Sequence, residues 1–249
     1  MIIRARLLER LMILGGAGGT RDDEEGPVQV QQREQARRTR QSIVRSAARE
    51  FDRNGYTATS VSAILEGSGT TKGAFYFHFP SKESLAAAIV EGMHTRWAPA
   101  VQRWAASDHD ALGVVLGLVD ELVVHTTADT VVRAGLRLTT EHELVGAGFV
   151  APFPEWERIF RHLFHRASFT GLLRPEVLPE TAAHVLVTGF VGERSCAGAG
   201  LGTAELRRLT DQLLGVLVPA FAVTDWTRQW QDSDWWTRTL PVLTEDAEL

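Results

Sequence analysis

One cysteine, Cys196, is all the 249-residue chain contains, which excludes an internal disulfide and a thiolate metal cluster and suits a reducing cytoplasm. No run of about 18 apolar residues occurs, which argues against a membrane span. The opening "MIIRARLLERLMIL" is broken by Glu9 and Arg10 and leads to no small-residue cleavage site, so it does not read as a secretion signal. Pairs of alternating β-branched runs joined by hairpin turns are missing too. Lysine and tyrosine are scarce, two of each against 24 arginines. Both lysines, Lys72 and Lys82, and one tyrosine, Tyr76, fall within "GTTKGAFYFHFPSKESL", residues 69–85.

What is present is charge, unevenly placed. Residues 33–96 hold ten Lys/Arg against six Asp/Glu, whereas residues 97–249 hold twelve against twenty. A polyanionic partner would therefore meet the first of these segments. Residues 15–32 are Gly-rich, then acidic, then Gln-rich, and read as part of a flexible extension over 1–35 whose apolar start can form a short helix.

From Arg33 to Arg53, Ile43, Val44, Ala47, Ala48 and Phe51 recur at helical spacing opposite a mostly arginine face. Asn54-Gly55 ends that helix, and Thr59 or Ser60 can cap the next, in which Val61, Ile64 and Leu65 point inward and Gly67 and Gly69 close the turn. Thr70 or Thr71 can cap "TTKGAFYF", Pro80 stops it, and a longer helix is expected over 81–104. Beyond residue 105 four more segments keep apolar residues three and four apart, with Pro or Gly at most of their ends. The chain reads as all-α. The adjacent apolar segments 179–200 and 203–222 suit a helical hairpin, and two such hairpins can join as a four-helix bundle.

Two short helices linked by "EGSGTT" make a helix-turn-helix, about 60–79, whose second helix presents its N-terminal residues to the major groove of double-stranded DNA. Thr70 and Thr71 bring hydroxyls and backbone N–H groups to a helix N-terminus, where the dipole favours phosphate, and Lys72 adds a cation. Gly73 removes a side chain where the helix approaches the duplex. Tyr76 and His78 offer donors to phosphates, Lys82 offers another cation, and Arg37, Arg38 and Arg40 widen the basic footprint, with Thr59 and Ser60 at the start of the motif. Phe75 and Phe79 are expected in the core of this small domain.

The stretch "GYTATSVSAILEGSGTTKGAFYFHFPSKESL" resembles the DNA-binding domain of TetR-type bacterial transcriptional repressors, following its Gly-Tyr, Thr-Ser, Lys-Gly, Tyr-x-His-Phe and Ser-Lys-Glu landmarks in order. The resemblance implies a three-helix DNA-binding domain over 36–97 on a helical ligand-binding and dimerising domain over 98–249. It also implies that Lys72, Tyr76 and His78 sit where the family touches phosphates and base edges. Phe77 departs from a position that is often polar or tyrosine and is expected to pack rather than to contact DNA. "AGLRLTTEHE", "PFPEWERIF" and "ASFTGLLRPEV" further resemble the γ-butyrolactone autoregulator receptors, a branch of that family in antibiotic-producing actinomycetes. In that branch a tryptophan lines the pocket for a small lipophilic lactone, and the matching position is Trp156.

The function implied is a cytoplasmic, homodimeric repressor on a pseudo-palindromic operator, released by a butyrolactone- or furan-type molecule and controlling secondary-metabolite genes. Two alternatives stay open: a repressor of an exporter or catabolic operon sensing a drug or metabolite, and an all-α enzyme with a vestigial DNA-binding domain. The aliphatic segments from 111 to 191, with Thr126, Thr139, Thr140, His142 and Thr188, suit an apolar pocket or equally a dry core. No cofactor or metal is indicated. In "GERSCAG" Glu193 stands where a nucleophile elbow needs Gly, "GAGLGT" lacks the third glycine of a dinucleotide fingerprint and reads as a loop between helices, and His162 and His165 lack a carboxylate partner of HExxH type. The tail holds Trp226, Trp230, Trp235 and Trp236, the first two four apart and able to dock on one face.

Overall fold

The computed structural model describes residues 27–140, 151–197 and 201–241. The expected short N-terminal helix, His142 and Gly198–Gly200 of "GAGLGT" lie outside the described residues. The chain divides into two compact units, Met1–Arg38 and Thr39–Leu249. The fold is all-α. Eleven α-helices and a short 3-10 helix (Asp234–Thr237) are described: α1 (Pro27–Ala58), α2 (Val61–Ser68), α3 (Lys72–His78), α4 (Lys82–Arg96), α5 (Ala98–Ala105), α6 (Ala111–Ala128), α7 (Thr130–Thr140), α8 (Phe153–Phe169), α9 (Pro179–Ala197), α10 (Thr203–Phe221) and α11 (Thr224–Gln231).

Helix α1 starts at Pro27, earlier than the expected Arg33, which corrects the flexible reading of residues 27–32. Proline fits a first helical position and glutamine is a good helix former, so "PVQVQQ" extends the helix without strain. At its other end Gly55 takes φ 77° and ψ 178°, a conformation open in practice to glycine, and this breaks the helix where Asn54-Gly55 said it would. Ile43, Val44, Ala47, Ala48 and Phe51 are buried, together with Ile64, Phe75 and Phe79.

The first two reading elements are closed by side chains. Ser60 accepts from the Ala63 amide and Thr71 from the Ala74 amide, which decides both caps. Gly69 ends α2 in the left-handed region at φ 64°. Gly67 lets α1 come close: a Cβ there would lie 2.5 Å from Ser46 Oγ, which donates to Ile64 O.

The helix expected over 81–104 is two helices. Ser81 and Ser84 cap α4 reciprocally, α4 ends at Arg96, and Trp97 joins it to α5, whose second residue is Pro99. Proline removes the amide that would have continued the ladder. Helix α4 packs along α7, where Met93 fills the space that Gly135 leaves open.

Helix α6 is buried almost throughout and forms the centre of the core. It is long and apolar enough to cross a membrane by length and composition, yet it carries Asp120 and Glu121 and lies packed under α7, α8 and α10. Helices α9 and α10 pack together as the expected hairpin. The tail folds back: α11 stacks Trp226 on Trp230, and Arg238 binds Asp120 through both carboxylate oxygens.

Candidate nucleic-acid interface and effector core

In the first unit, Arg38 is exposed and donates to Glu34 at 3.0 Å. In the second, helix α3 presents Lys72, Gly73, Tyr76 and Phe77 outward. Lys72 and Thr71 are exposed, Tyr76 is 47% exposed, and a Cβ on Gly73 would meet nothing nearer than Thr71 Oγ1 at 4.0 Å. Phe75 anchors the opposite side of the helix, in edge contact with Tyr76 and tilted against Phe79. Arg40 lies over the Phe79 ring at 5.2 Å. Burial, aided by the neighbouring Arg40 charge, pushes the His78 pKa below the usual imidazole value. That environment disfavours the charged imidazolium at His78.

Three expectations need correction. Thr59 is buried, and its hydroxyl donates to Gly55 O at 2.7 Å, sealing the break in α1. The Lys82 ammonium turns inward as well. It donates to Tyr56 O and Thr59 O, both at 2.9 Å, and sits 4.1 Å from the centre of the Tyr56 ring. Tyr56 O also accepts from the Thr59 amide at 3.3 Å, and the lysine adds a charged donor there that joins α4 to the segment entering the helix-turn-helix. Phe77, expected to pack, is 81% exposed and only edges against His78. Thr70 shares a 2.7 Å hydrogen bond with Ser68 in the turn, half-buried, while Ser60 stays exposed beside its cap.

The other end of α4 leads to an aromatic cluster. Trp156 is 4% exposed and meets Phe153, Trp97 and Phe190 at centroid distances of 5.5, 6.1 and 6.3 Å. Trp97 also meets His125 edge-on at 6.2 Å. Beneath lies Glu121, 2.7 Å from Arg103 Nη2, 3.2 Å from Trp104 Nε1 and 3.6 Å from His125 Nε2. Burial pushes the Glu121 pKa up, but the hydrogen bonds from His125, Arg103 and Trp104 outweigh it and hold the carboxyl below its usual range. Three of the four threonines do not serve as the expected polar contacts. Thr126 and Thr139 spend their hydrogens on Leu122 O and Leu136 O, and Thr188 is exposed. An apolar crevice between α6, α8, α9 and α10 near Trp226 has free space for about one water. His165 pairs with Glu180 at 2.9 Å, across to α9.

Arginines of α7 grip the end of α1. Arg133 binds Asp52 at 2.7 Å, and Arg137 donates to the carbonyls of Asp52 and Arg53. The reading helices and the aromatic cluster are thus joined through α4 and α7.

Residues 43–89 match bacterial regulatory proteins of the tetR family, and residues 112–222 match the tetracyclin repressor-like C-terminal domain. CprB from Streptomyces coelicolor A3(2), a TetR family protein, is 30% identical, with 78% of this chain and 94% of CprB covered and a TM-score of 0.67. The chain belongs to the tetR family. CprB has also been solved with its biological operator sequence. A γ-butyrolactone receptor (ArpA-like protein) is 28% identical, with 79% and 94% covered and a TM-score of 0.66. The A-factor receptor protein of Streptomyces griseus is 29% identical over 188 residues, which span 74% of this tetR-family chain but only 64% of that receptor's length.

Proposed function

We propose that this protein is a cytoplasmic, homodimeric transcriptional repressor, not an enzyme, released from a pseudo-palindromic operator by a small lipophilic molecule of butyrolactone or furan type and controlling secondary-metabolite genes. The observation that carries the DNA-binding half is helix α3: exposed Lys72 and Tyr76 flank a bare Gly73 on a helix anchored behind by Phe75. Dimerisation is supported by α9 and α10, which pack together and expose Val185 and Val216, the latter 70% exposed. The effector half rests on Trp156 in its aromatic cluster and on the likeness to γ-butyrolactone receptors.

Release follows from coupling. A dimer reads two half-sites when its α3 helices stand roughly 34–36 Å apart, one turn of DNA. A molecule that enters beside Trp156 presses on Trp97, the joint that ends α4. At the other end of α4, Lys82 holds the carbonyls that lead into α2 and α3. A ligand that favours a differently set α4 lowers operator affinity by its preference for that state.

Two experiments test these halves. An operator selected from random duplex DNA is expected to be released by synthetic γ-butyrolactones in a gel shift. Trp156→Ala should still bind DNA but need at least about tenfold more lactone. If lactones and furans leave the wild-type complex intact, the hormone reading fails and an exporter or catabolic repressor is favoured. Gly73→Ala addresses the DNA face. Alanine favours a helix over glycine by about 1 kcal/mol, and its methyl has open space, so the melting temperature should hold or rise while operator affinity falls. Unchanged affinity would remove Gly73 from the interface.

A further inference from the structure

Two buried polar atoms beside Trp156 have no hydrogen-bond partner: Nε1 of Trp97 and Nδ1 of His125. Their rings touch edge-on, and Trp97 in turn contacts Trp156. A buried donor or acceptor left unmade carries the full cost of its desolvation, and native cores rarely leave two side by side. Unpartnered indole nitrogens also occur at Trp230 and Trp235 in the tail, where Trp230 packs against Trp226 and Trp236.

We propose that Trp97 Nε1 and His125 Nδ1 form the polar head of the effector site, taking a small apolar molecule that offers one hydrogen-bond acceptor and one donor. This rests on the ligand-released repressor reading above. The chemistry sets the class. An indole N–H only donates, so it takes a carbonyl or ring oxygen. His125 Nε2 faces the Glu121 carboxylate at 3.6 Å, so the tautomer with its hydrogen on Nε2 points that hydrogen at the carboxylate and offers Nδ1 as an acceptor for a hydroxyl. The Glu121 charge, with Arg103 already on it, disfavours a carboxylate ligand at the same place. Phe153, Trp156 and Phe190 supply the apolar surface for the rest of the molecule. Because Trp97 is the joint at the end of α4, a hydrogen bond to its indole acts directly on the helix that carries Lys82.

The test uses the full chain and two racemic probes, a 2-acyl-3-hydroxymethyl-γ-butyrolactone and its 3-methyl analogue, with binding measured by calorimetry. The wild type should prefer the hydroxymethyl probe by about threefold to tenfold, the worth of one neutral hydrogen bond. Trp97→Phe keeps the ring and removes the N–H, and it should weaken both probes by about the same factor. His125→Leu should weaken only the hydroxymethyl probe and so erase the preference. Circular dichroism and operator binding show whether each variant is folded. If folded Trp97→Phe and His125→Leu bind both probes like the wild type, the polar head lies elsewhere and the inference is overturned, while the repressor reading stands. If neither probe binds the wild type nor releases its operator, the lactone reading falls and takes the inference with it.

Discussion

Replacing Lys72 and Tyr76 together by alanine is expected to weaken operator binding about a thousandfold with little change in melting temperature. Each side chain supplies a contact worth about 1 kcal/mol, and a dimer loses both twice, so about 4 kcal/mol disappears from the complex. Neither side chain holds the fold: Lys72 is exposed, and Tyr76 adds one edge contact to a buried Phe75. Salt separates the two roles. The logarithm of affinity falls linearly with the logarithm of salt, and each lost phosphate contact reduces that slope by about one. Lys72→Ala alone should therefore flatten the salt dependence. Tyr76→Phe, which keeps the ring and removes the hydroxyl, should lower affinity without flattening it. Retention of operator binding by the double variant would move the reading surface off α3.

The parts of this molecule that the sequence made legible are those decided within a few residues. Ser60, Thr71 and Ser81 are capping chemistry beside the amides they satisfy, and Gly55 and Gly69 occupy backbone conformations that favour glycine. The split at Trp97 was within reach too, because Pro99 cannot continue a helix. What the sequence hid depends on distant groups. Lys82 reads as one more surface cation in a basic segment until its ammonium is seen on Tyr56 O and Thr59 O, 26 and 23 residues away. Thr59 is a plausible cap by type and is buried by the break it seals. Phe77 carries no periodic signal that distinguishes a buried phenylalanine from an exposed one on a seven-residue helix. Trp97 and His125 belong to different helices, and only their packing around Trp156 makes their unpartnered nitrogens a feature. Trp226 and Trp230, four apart, suggested docking, but the arginine that fixes the tail gave no sign of its partner on α6.

That arginine carries the largest stability effect. Arg238 grips both oxygens of Asp120, reaches Asp211 at 3.1 Å, donates to Trp235 O, and lies 3.5 Å from the centre of the Trp235 ring. Asp120 is buried in the middle of α6, and burial holds its pKa above the usual carboxylate value even though Arg238 pulls it down. Arg238→Met keeps most of the apolar stem and strands the carboxylate, so it should cost about 3–5 kcal/mol. The pH dependence has a definite sign. An acid whose folded pKa lies above its unfolded value binds more protons when folded, so its burial is least costly at low pH and stability falls as pH rises through that window. Without the guanidinium the folded pKa rises further and the window widens upward. Urea unfolding at one fixed protein concentration should therefore show a deficit for Arg238→Met that is largest near pH 8 and smaller near pH 5. Adding Asp120→Asn removes the stranded charge and should recover part of the loss, with the remaining deficit independent of pH. A single-variant deficit that stays the same at both pH values would mean that the tail is held by its tryptophans and not by this ion pair.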